Sequence, residues 1–342
     1  MSVPFVSVVI PERNEEEKIS FCLKSLLDSD YPHDRFEVIV VDGMSEDRTV
    51  EIVTSFSQEH QNIKLLYNEK RTTPVARNIG IKASVGEYVM FFDAHSIASV
   101  DYISKCVKRI QETEADNVGG VVKTVPISGS LLGRTIAAVL TSRFGVGGSK
   151  FRTGVGGPEE VDTVPFGFYK REVFGRIGLF NENLVRNQDI EFNLRLKRKG
   201  GKIVLFPDIY LVYFSRSSLR SFLKNNFENG FWVIFASRYS KRPFSLRHII
   251  PLIFVLYLGL VILLSLLPIA LSLVWVLPLL FYTILDVLFS LEIVHKTACC
   301  KAFFTSAMIF PLLHISYGTG SLIASVKLLW VKVIKHRDFE RN

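Results

Sequence analysis

Acidic side chains follow apolar segments of the chain at places suited to ligand chemistry. Asp42 follows residues 36–41, and Asp93 follows residues 88–92, with His95 two positions later. A carboxylate and an imidazole at this spacing can hold a divalent cation, which acts as a Lewis acid on developing negative charge. Imidazole suits Mn²⁺ better than Mg²⁺, which prefers oxygen ligands. The pattern predicts a cation site at Asp93 and His95 that favours Mn²⁺; the alternative is that His95 is a helix-capping or satisfied loop residue.

A second candidate group, Asp189, opens a basic helix that is expected to end at residue 199. A carboxylate held there can act as a general base, because it can accept a proton from a reacting hydroxyl. The alternative is an ordinary N-cap for the same helix.

The elements that must position these groups alternate along the chain. Strand-length apolar runs cover residues 5–10, 36–41, 63–67 and 88–92, and apolar residues at helical spacing cover 15–27, 46–59 and 74–84. This alternation predicts an α/β fold with a mainly parallel sheet and helices on both faces. Ligands bind beyond the carboxyl ends of such strands, which is where Glu12, Arg13, Asn14, Glu15, Asp42, Asp93 and His95 are expected to lie.

The last third of the chain has a different composition. Residues 249–291 and 303–329 are almost uncharged and long enough to form membrane-spanning helices. We predict a domain of residues 1–235 followed by a membrane domain of residues 236–342, with hydrophobic helices at 249–268, 269–291 and 303–325 and a basic tail. Glycines and Pro311 interrupt the third run, which suits either a glycine-packed spanning helix or a re-entrant pair of half-helices.

Charge distribution indicates a membrane rather than a nucleic-acid partner. The formal net charge of the 342 residues is +8, and seven Lys or Arg against one acid lie between Arg216 and Arg247, directly before the first apolar run. This is the positive-inside pattern; the alternative is a merely solvated basic helix. We find no leader sequence before the first strand and therefore expect the domain of residues 1–235 to be cytoplasmic, in a multi-pass protein of the cell membrane. The four cysteines show no metal-ligand spacing and are expected to be reduced.

Four segments in this order resemble family 2 glycosyltransferases of the GT-A fold: SVVIPERNEEEKI, VIVVDGMSEDRT, ARNIGIKASVGEYVMFFDAH and RNQDIEFNLRLKRKGGKI. The resemblance covers residues 4–232. Two further stretches, SRFGVGGSKFR and VDTVPFGFYKREVF, are similar to the membrane-attached, succinoglycan-type subgroup of exopolysaccharide enzymes. The resemblance implies a Rossmann-like domain that binds a nucleotide sugar.

The resemblance also implies roles for individual residues. Asp42 would hydrogen-bond the nucleotide base with Asp47 as its companion, although Asp42 alone also suits a turn before Gly43. Asp189 would be the catalytic base; the family usually has Glu before it, where this chain has Gln188. The family's usual Asp at the second metal position is His95 here. The remaining substrate-binding candidates are Pro11, Arg13 and Glu15 of the first loop, Arg77, Asp93, and Arg216 and Trp232 on the acceptor side.

Two of these candidates have plainer alternatives. Arg77 is otherwise a solvated helix charge, and Trp232 is otherwise an interfacial aromatic. The Gln-x-x-Arg-Trp element of processive synthases does not occur in this sequence. Its absence argues against polymer synthesis coupled to translocation.

The predicted function is that of an inverting, metal-dependent transferase that moves a hexose from a nucleotide sugar, with a UDP-sugar as the expected donor, to a lipid-linked saccharide at the membrane. One alternative is transfer straight onto polyprenyl phosphate, whose anionic oxygen needs little general base. A second alternative is a non-catalytic nucleotide-sugar-binding membrane subunit, suggested by Gln188 and His95.

Overall fold

The computed structural model describes residues 3–215, 218–239, 245–265 and 273–339. The strands are β1 (Val6–Glu12), β2 (Phe36–Asp42), β3 (Ile63–Tyr67), β4 (Tyr88–Phe91), β5 (Ser96–Ala98), β6 (Asn117–Pro126), β7 (Glu159–Glu160), β8 (Phe168–Lys170) and β9 (Ile203–Ser215). The helices are α1 (Ile19–Leu27), α2 (Thr49–Glu59), α3 (Thr73–Ala83), α4 (Tyr102–Thr113), α5 (Leu131–Val139), α6 (Arg143–Val146), α7 (Lys150–Thr153), α8 (Glu172–Ile177), α9 (Gln188–Arg198), α10 (Leu219–Phe235), α11 (Ile250–Ser265), α12 (Leu273–Thr297) and α13 (Ala302–Phe339).

The chain forms two compact units. The first combines the chain up to Lys123 with Gly154–Phe214, and the second combines Thr124–Thr153 with the chain from Ser215 onward. Helices α5 and α10 therefore group with the C-terminal apolar helices, whereas the predicted domain boundary falls after residue 235.

The first unit is built on one mixed sheet. Its strand order is β3-β2-β1-β4-β8-β6-β9-β5, and β7 pairs with β9. Strands β1 to β4 are parallel, as predicted, and place the ends of β1 and β2 side by side. The pairs β4–β8, β8–β6, β9–β5 and β9–β7 are antiparallel, so the prediction of a mainly parallel sheet holds only for the first half. A hydrophobic pattern can predict a strand, but it does not show whether that strand runs parallel or antiparallel to its neighbours in the sheet.

Helix α3 packs closely on β1 through Gly80. A β-carbon at Gly80 would clash with the methyl groups of Val9, which is fully buried. Glycine inside a helix costs about 0.5–1 kcal/mol relative to alanine, so close approach is the physical reason for it here.

Gly80→Ala should destabilise the fold by about 1–3 kcal/mol, because the overpacking strain exceeds the gain in helix propensity. Chemical denaturation of the purified protein measures the change. Gly175→Ala in α8 is the matched control, since a β-carbon there meets no atom within 4 Å. A Gly80→Ala protein as stable as this control would contradict the packing argument.

The second unit is helical and has its own core. Residues of α5, α10, α12 and α13 form a buried cluster that includes Ile136, Phe222, Ile293 and Phe310. Within the described residues, two helical segments are long and apolar enough to cross a membrane, Val276–Thr297 and Ala302–Val331, and Ile250–Leu264 is a shorter apolar helix.

Helix α13 continues without a break through Pro311 and its glycines. β-Carbons at Gly318 and Gly320 would clash with the carbonyl oxygens of Pro251 and Phe227. Of the two predicted arrangements, the structure has the continuous helix packed through its glycines rather than a pair of half-helices, and its crossing of a membrane stays a prediction.

Candidate active site

The loops that follow β1 and β2 are locked together by hydrogen bonds. Asn14 donates its backbone N–H to the Ser45 hydroxyl at 2.9 Å and accepts the Glu46 N–H on its side-chain oxygen at 2.9 Å. Asn14 has a φ of 55°, a left-handed conformation that asparagine tolerates better than most residues. Arg13 forms an ion pair with Glu46 at 3.2 Å. The first loop is thus anchored to the second rather than extended into solvent.

Asp47 braces the same two loops. One of its carboxylate oxygens accepts the Thr49 N–H at 3.0 Å, and the other accepts the Glu16 N–H at 3.2 Å. Glu15 in turn donates its N–H to the Thr49 hydroxyl at 2.8 Å. Partial burial opposes ionisation of Asp47, but these hydrogen bonds lower its pKa. If Asp47 contributes to donor binding, part of that contribution comes from holding the loops after β1 and β2 in place.

Asp42 and Glu12 lie at the adjoining ends of β2 and β1. Asp42 is fully buried and accepts the Ser45 N–H at 3.0 Å. Pro11 pairs with Val41 one position earlier in the register. Burial, followed by the neighbouring Asp42, raises the pKa of Glu12 to about 9. The sequence predicted that Glu12 lies at this edge of the sheet but indicated no role for it. The signal that could have indicated one was its position at the end of a predicted strand.

Asp93, His95 and Glu15 lie together at the predicted cation site. His95 Nε2 lies 3.7 Å from an Asp93 oxygen, and His95 Nδ1 lies 3.4 Å from a Glu15 oxygen. Burial would lower the pKa of His95, but the Glu15 and Asp93 carboxylates outweigh it and raise the pKa. His95 is therefore held by both acids at this edge of the sheet.

The geometry of Asp93 and His95 fits a single divalent cation. Two ligands at about 2.1 Å from one ion are separated by no more than about 4.2 Å, and the measured 3.7 Å lies within that limit. Among the described residues, no group of three or more His, Cys, Asp or Glu side chains is arranged to hold a metal ion. Two protein ligands suffice where substrate phosphates complete the shell, as is usual for such ions.

Arg77 projects from α3 between two aromatic rings. Its guanidinium carbon lies 5.1 Å from the centre of the Phe91 ring and 5.3 Å from that of Phe180. Its Nε is buried and has no hydrogen-bond partner among the described residues. The prediction of a merely solvated helix charge is wrong, because the aromatic rings hold the guanidinium in a partly buried place with donor capacity to spare.

Asp189 is the second residue of α9. The N-cap is Asn187, in the left-handed conformation with a φ of 58°, so the expectation that Asp189 is an ordinary N-cap is wrong. A carboxylate in the first turn is favoured by the helix dipole. Gln188, which precedes it, is 7% exposed, and its side-chain oxygen has no partner in the described part of the chain.

Tyr169 connects the surroundings of Arg77 with α9: its ring centre lies 5.8 Å from that of Phe91, which also contacts Arg77, and 5.5 Å from that of Phe192 in α9. Its burial raises its pKa, Arg77 lowers it and Asp189 raises it. The Tyr169 hydroxyl donates to the side-chain oxygen of Asn193 in α9 at 2.8 Å. These interactions bring two of the predicted site residues to one region.

Asn193 is the centre of a buried polar network that sequence reasoning missed. Its oxygen also accepts from the Asn117 amide at 3.1 Å, and its own amide donates to the Thr163 hydroxyl at 2.9 Å. The network joins β6, β8 and α9 and fixes the helix that carries Asp189. One amide in a basic helix carries no sequence signal for such a role.

The two acceptor-side candidates are not brought to this region by any described contact. Arg216 lies outside the described residues. Trp232 belongs to α10 in the second unit, where its ring centre lies 5.6 Å from Phe231 and 5.7 Å from Phe235. Its acceptor-side role stays a prediction.

Comparison with known proteins identifies the family. Residues 7–178, half of the chain, match Glycosyl transferase family 2. A dolichyl N-acetyl-alpha-D-glucosaminyl phosphate 3-beta-D-2,3-diacetamido-2,3-dideoxy-beta-D-glucuronosyltransferase from Methanococcus voltae is 32% identical over 234 residues, which cover 66% of this chain and 72% of that protein. The succinoglycan biosynthesis protein ExoA of Rhizobium meliloti (strain 1021) is 31% identical over 215 residues, which cover 62% of this chain and 64% of that protein.

A solved structure shares the fold. The mannosyltransferase PcManGT from Pyrobaculum calidifontis, in complex with GDP-Man and Mn²⁺, is 19% identical, with a TM-score of 0.61 over 94% of this chain and 88% of that one. At this identity the likeness concerns the fold alone. On the match to its first half and the identity of its relatives, the chain belongs to glycosyl transferase family 2 and is a glycosyltransferase of the GT-A fold.

Proposed function

We propose that this protein is an inverting glycosyltransferase that moves a hexose from a nucleotide sugar, favoured to be a UDP-sugar, to a lipid-linked saccharide. The observation that carries the proposal is the placement of Asp189 in the first turn of α9, the helix that Tyr169 contacts through Asn193 and Phe192. A base, a phosphate-binding cation and a buried scaffold are the parts that such a transfer needs.

The donor would bind across the ends of β1, β2 and β4. Asp42 offers a buried acceptor to an N–H of the base, and its Oδ2 is already oriented by the Ser45 N–H. Arg77, aimed by Phe91 and Phe180, has the donor capacity to contact the diphosphate. Both groups bind and orient the donor without taking part in bond changes.

Asp189 would then accept the proton of the acceptor hydroxyl. As the hydroxyl oxygen forms a bond to the anomeric carbon, the bond from that carbon to the diphosphate oxygen breaks, and the nucleoside diphosphate leaves with both electrons. Attack from the face opposite the leaving group inverts the anomeric centre. The buried network around Asn193 keeps the base in place during this step.

Asp93 and His95 are the residues that would hold the divalent cation, with Mn²⁺ favoured by the imidazole ligand. When bound, the cation would supply positive charge that stabilises the departing diphosphate. Glu15 orients His95 through the 3.4 Å contact to Nδ1.

The acceptor proposal draws on a relative. The name of the Methanococcus voltae protein describes transfer to a sugar on dolichyl phosphate. The decisive experiment incubates the purified protein with UDP-, GDP- and other nucleotide sugars and extracted lipid acceptors, and identifies the product by mass. A lipid carrying one added hexose on its saccharide supports the proposal; a hexose on bare polyprenyl phosphate, or no product with any donor, contradicts it.

The surroundings of α13 support one membrane arrangement of the second unit over the others. Helix α10 packs along it: Ser316 donates to the Leu223 carbonyl at 2.7 Å, and Ser321 donates to that of Gly230 at 3.1 Å. Near the C-terminal end of α10, the centre of the Phe235 ring lies 5.2 Å from Lys327 Nζ of α13. If α13 crossed the bilayer, α10 would be at the same depth.

Helix α10 is not suited to that depth. It carries Lys224 and Glu228, whose side chains are 77% and 36% exposed. A charge at the bilayer centre costs about 2.5–3.5 kcal/mol even on the lowest scale. We therefore propose that α10 and α13 lie at the membrane surface.

The exposed face of α13 fits that position. Apolar residues run along it as one exposed stripe: Phe304, Met308, Ile315, Ile323, Val326, Leu329 and Trp330. From the first to the last of these the helix rises about 39 Å, which exceeds the hydrocarbon thickness of about 30 Å. By contrast, the segment of α12 from Val276 is exposed and apolar on most sides. Helices α11 and α12 would then form the spanning hairpin, with the basic residues before α11 and at the end of α13 on one side, as the positive-inside rule requires.

This topology predicts that Cys300 and a C-terminal tag share the side of the first unit. Cys300 is exposed in the turn between α12 and α13, whereas Cys22 and Cys106 are buried. Two measurements in sealed vesicles test this prediction. Labelling of the Cys299→Ser protein by an impermeant maleimide reports the side of Cys300, and protease treatment reports the side of the tag.

Each competing topology gives a different result. Three spans would place the tag alone on the far side, and a spanning pair of α12 and α13 would place Cys300 alone there. Either result contradicts the surface position of α13. Cys300→Ser is the control for the site of labelling.

A further inference from the structure

Two carboxyl groups are paired at the ends of the first two strands. Glu12 and Asp42 are direct partners in the β1–β2 register. Glu12 is 7% exposed, and Asp42 is 0% exposed. The Gly43 N–H donates to the Glu12 carbonyl at 2.8 Å, and the Asn68 N–H donates to that of Asp42 at 2.7 Å. The backbone thus holds the two acids side by side and out of water.

Three of the four carboxyl oxygens have no hydrogen-bond partner among the described residues. These are both oxygens of Glu12 and Oδ1 of Asp42. The fourth, Asp42 Oδ2, accepts the Ser45 N–H at 3.0 Å. Two buried carboxylates that share only one donor repel each other and lose hydration, and a single shared proton relieves both penalties.

The surrounding charges favour that proton. Asp42, Asp47 and Glu15 all raise the pKa of Glu12, after the larger effect of burial. Among the described residues no ion pair joins Glu12 to a basic side chain: Arg13 pairs with Glu46, Lys18 pairs with Glu15, and the Arg77 guanidinium lies between the rings of Phe91 and Phe180.

We propose that Glu12 is a positioning residue that stays protonated at neutral pH and donates its O–H to Asp42 Oδ1, which fixes the Asp42 carboxyl group as a hydrogen-bond acceptor for the donor nucleotide. The donor-binding half of this inference rests on the proposed function, whereas the proton-sharing half does not. Each Asp42 oxygen keeps a lone pair for the base after accepting one hydrogen bond from within the protein. Glu12 touches Asp42 rather than the reacting atoms.

The sign of the pH dependence follows from the raised pKa. Between about pH 4.5 and pH 9 the folded protein keeps a proton that the unfolded chain has lost. Stability should therefore fall as pH rises through this window and level off above it, by up to about tenfold in the unfolding equilibrium per pH unit.

The test compares Glu12→Gln, which keeps size and a donor, with Glu12→Ala, which removes the donor; exposed Glu17→Ala on the same loop is the control. Chemical denaturation of the full-length protein in detergent between pH 5 and pH 9 gives the first readout. In Glu12→Gln the contribution of this residue to the slope of unfolding free energy against pH should vanish. The stability of this variant relative to wild type should therefore increase as pH rises. An unchanged slope in Glu12→Gln overturns the proton assignment, whether or not a nucleotide binds.

Calorimetric titration with UDP, and in parallel GDP, at pH 7 gives the second readout. Glu12→Gln should bind within about threefold of wild type, and Glu12→Ala about tenfold more weakly, the loss expected for one hydrogen bond. Equal affinity of Glu12→Ala and wild type overturns the positioning role. If neither nucleotide binds wild type, the donor proposal fails, and the denaturation series still decides the proton-sharing half.

Discussion

Asp189→Asn is expected to lower turnover on a sugar-hydroxyl acceptor by about 10²–10⁴-fold, the usual contribution of a general base. Asparagine keeps the size of the side chain but cannot accept the proton. Because Asn187 is the N-cap, the helix loses only a first-turn charge, a cost of at most about 1 kcal/mol. Donor affinity should stay nearly unchanged, since the loss concerns the transition state.

Single-turnover kinetics with the identified donor and acceptor measure this effect. Asp34→Asn is the matched control, because the side chain is 79% exposed and its substitution removes the same charge at the surface. A folded Asp189→Asn protein with near-normal transfer would contradict the assignment. In that case the acceptor arrives already deprotonated, and transfer to polyprenyl phosphate becomes the better description.

Removal of the divalent cation is expected to abolish transfer, and Asp93→Asn should reduce it by at least about 10²-fold, because the diphosphate would leave without charge stabilisation. His95→Ala should raise the Mn²⁺ concentration needed for half-maximal activity and reduce the preference for Mn²⁺ over Mg²⁺. Both residues meet in one 3.7 Å contact.

Activity and nucleotide binding are both measured across a titration of Mn²⁺ and Mg²⁺ after treatment with a chelator. The exposed His33→Ala is the control for His95→Ala. UDP binding that tightens with Mn²⁺ in wild type, but much less in Asp93→Asn, locates the ion independently of turnover. Full activity in excess chelator would remove the metal proposal.

The sequence alone determined the local elements of the first unit. Strands β1 to β4 and the helices between them occur where apolar periodicity predicted them, because each depends on the spacing of side chains within a dozen residues. Motif order was sufficient to recognise the family, since its residues follow one another along the chain. The prediction that glycines pack α13 was also local, because Gly318 and Gly320 interrupt an apolar run of the sequence.

Only the tertiary structure decided which residues meet. β8 is three residues long and pairs with β4 from far along the chain, and its Tyr169 then contacts both Phe91, which lies beside Arg77, and Asn193 of α9, the helix that carries Asp189. The Glu12–Asp42 pair exists because two strands are in register, and an acid at a strand end does not reveal its neighbour across the sheet. The exposed stripe of α13 likewise depends on α10 covering the opposite face. Each of these contacts joins residues that are far apart in the sequence, and such contacts produce no local periodicity from which they could be predicted.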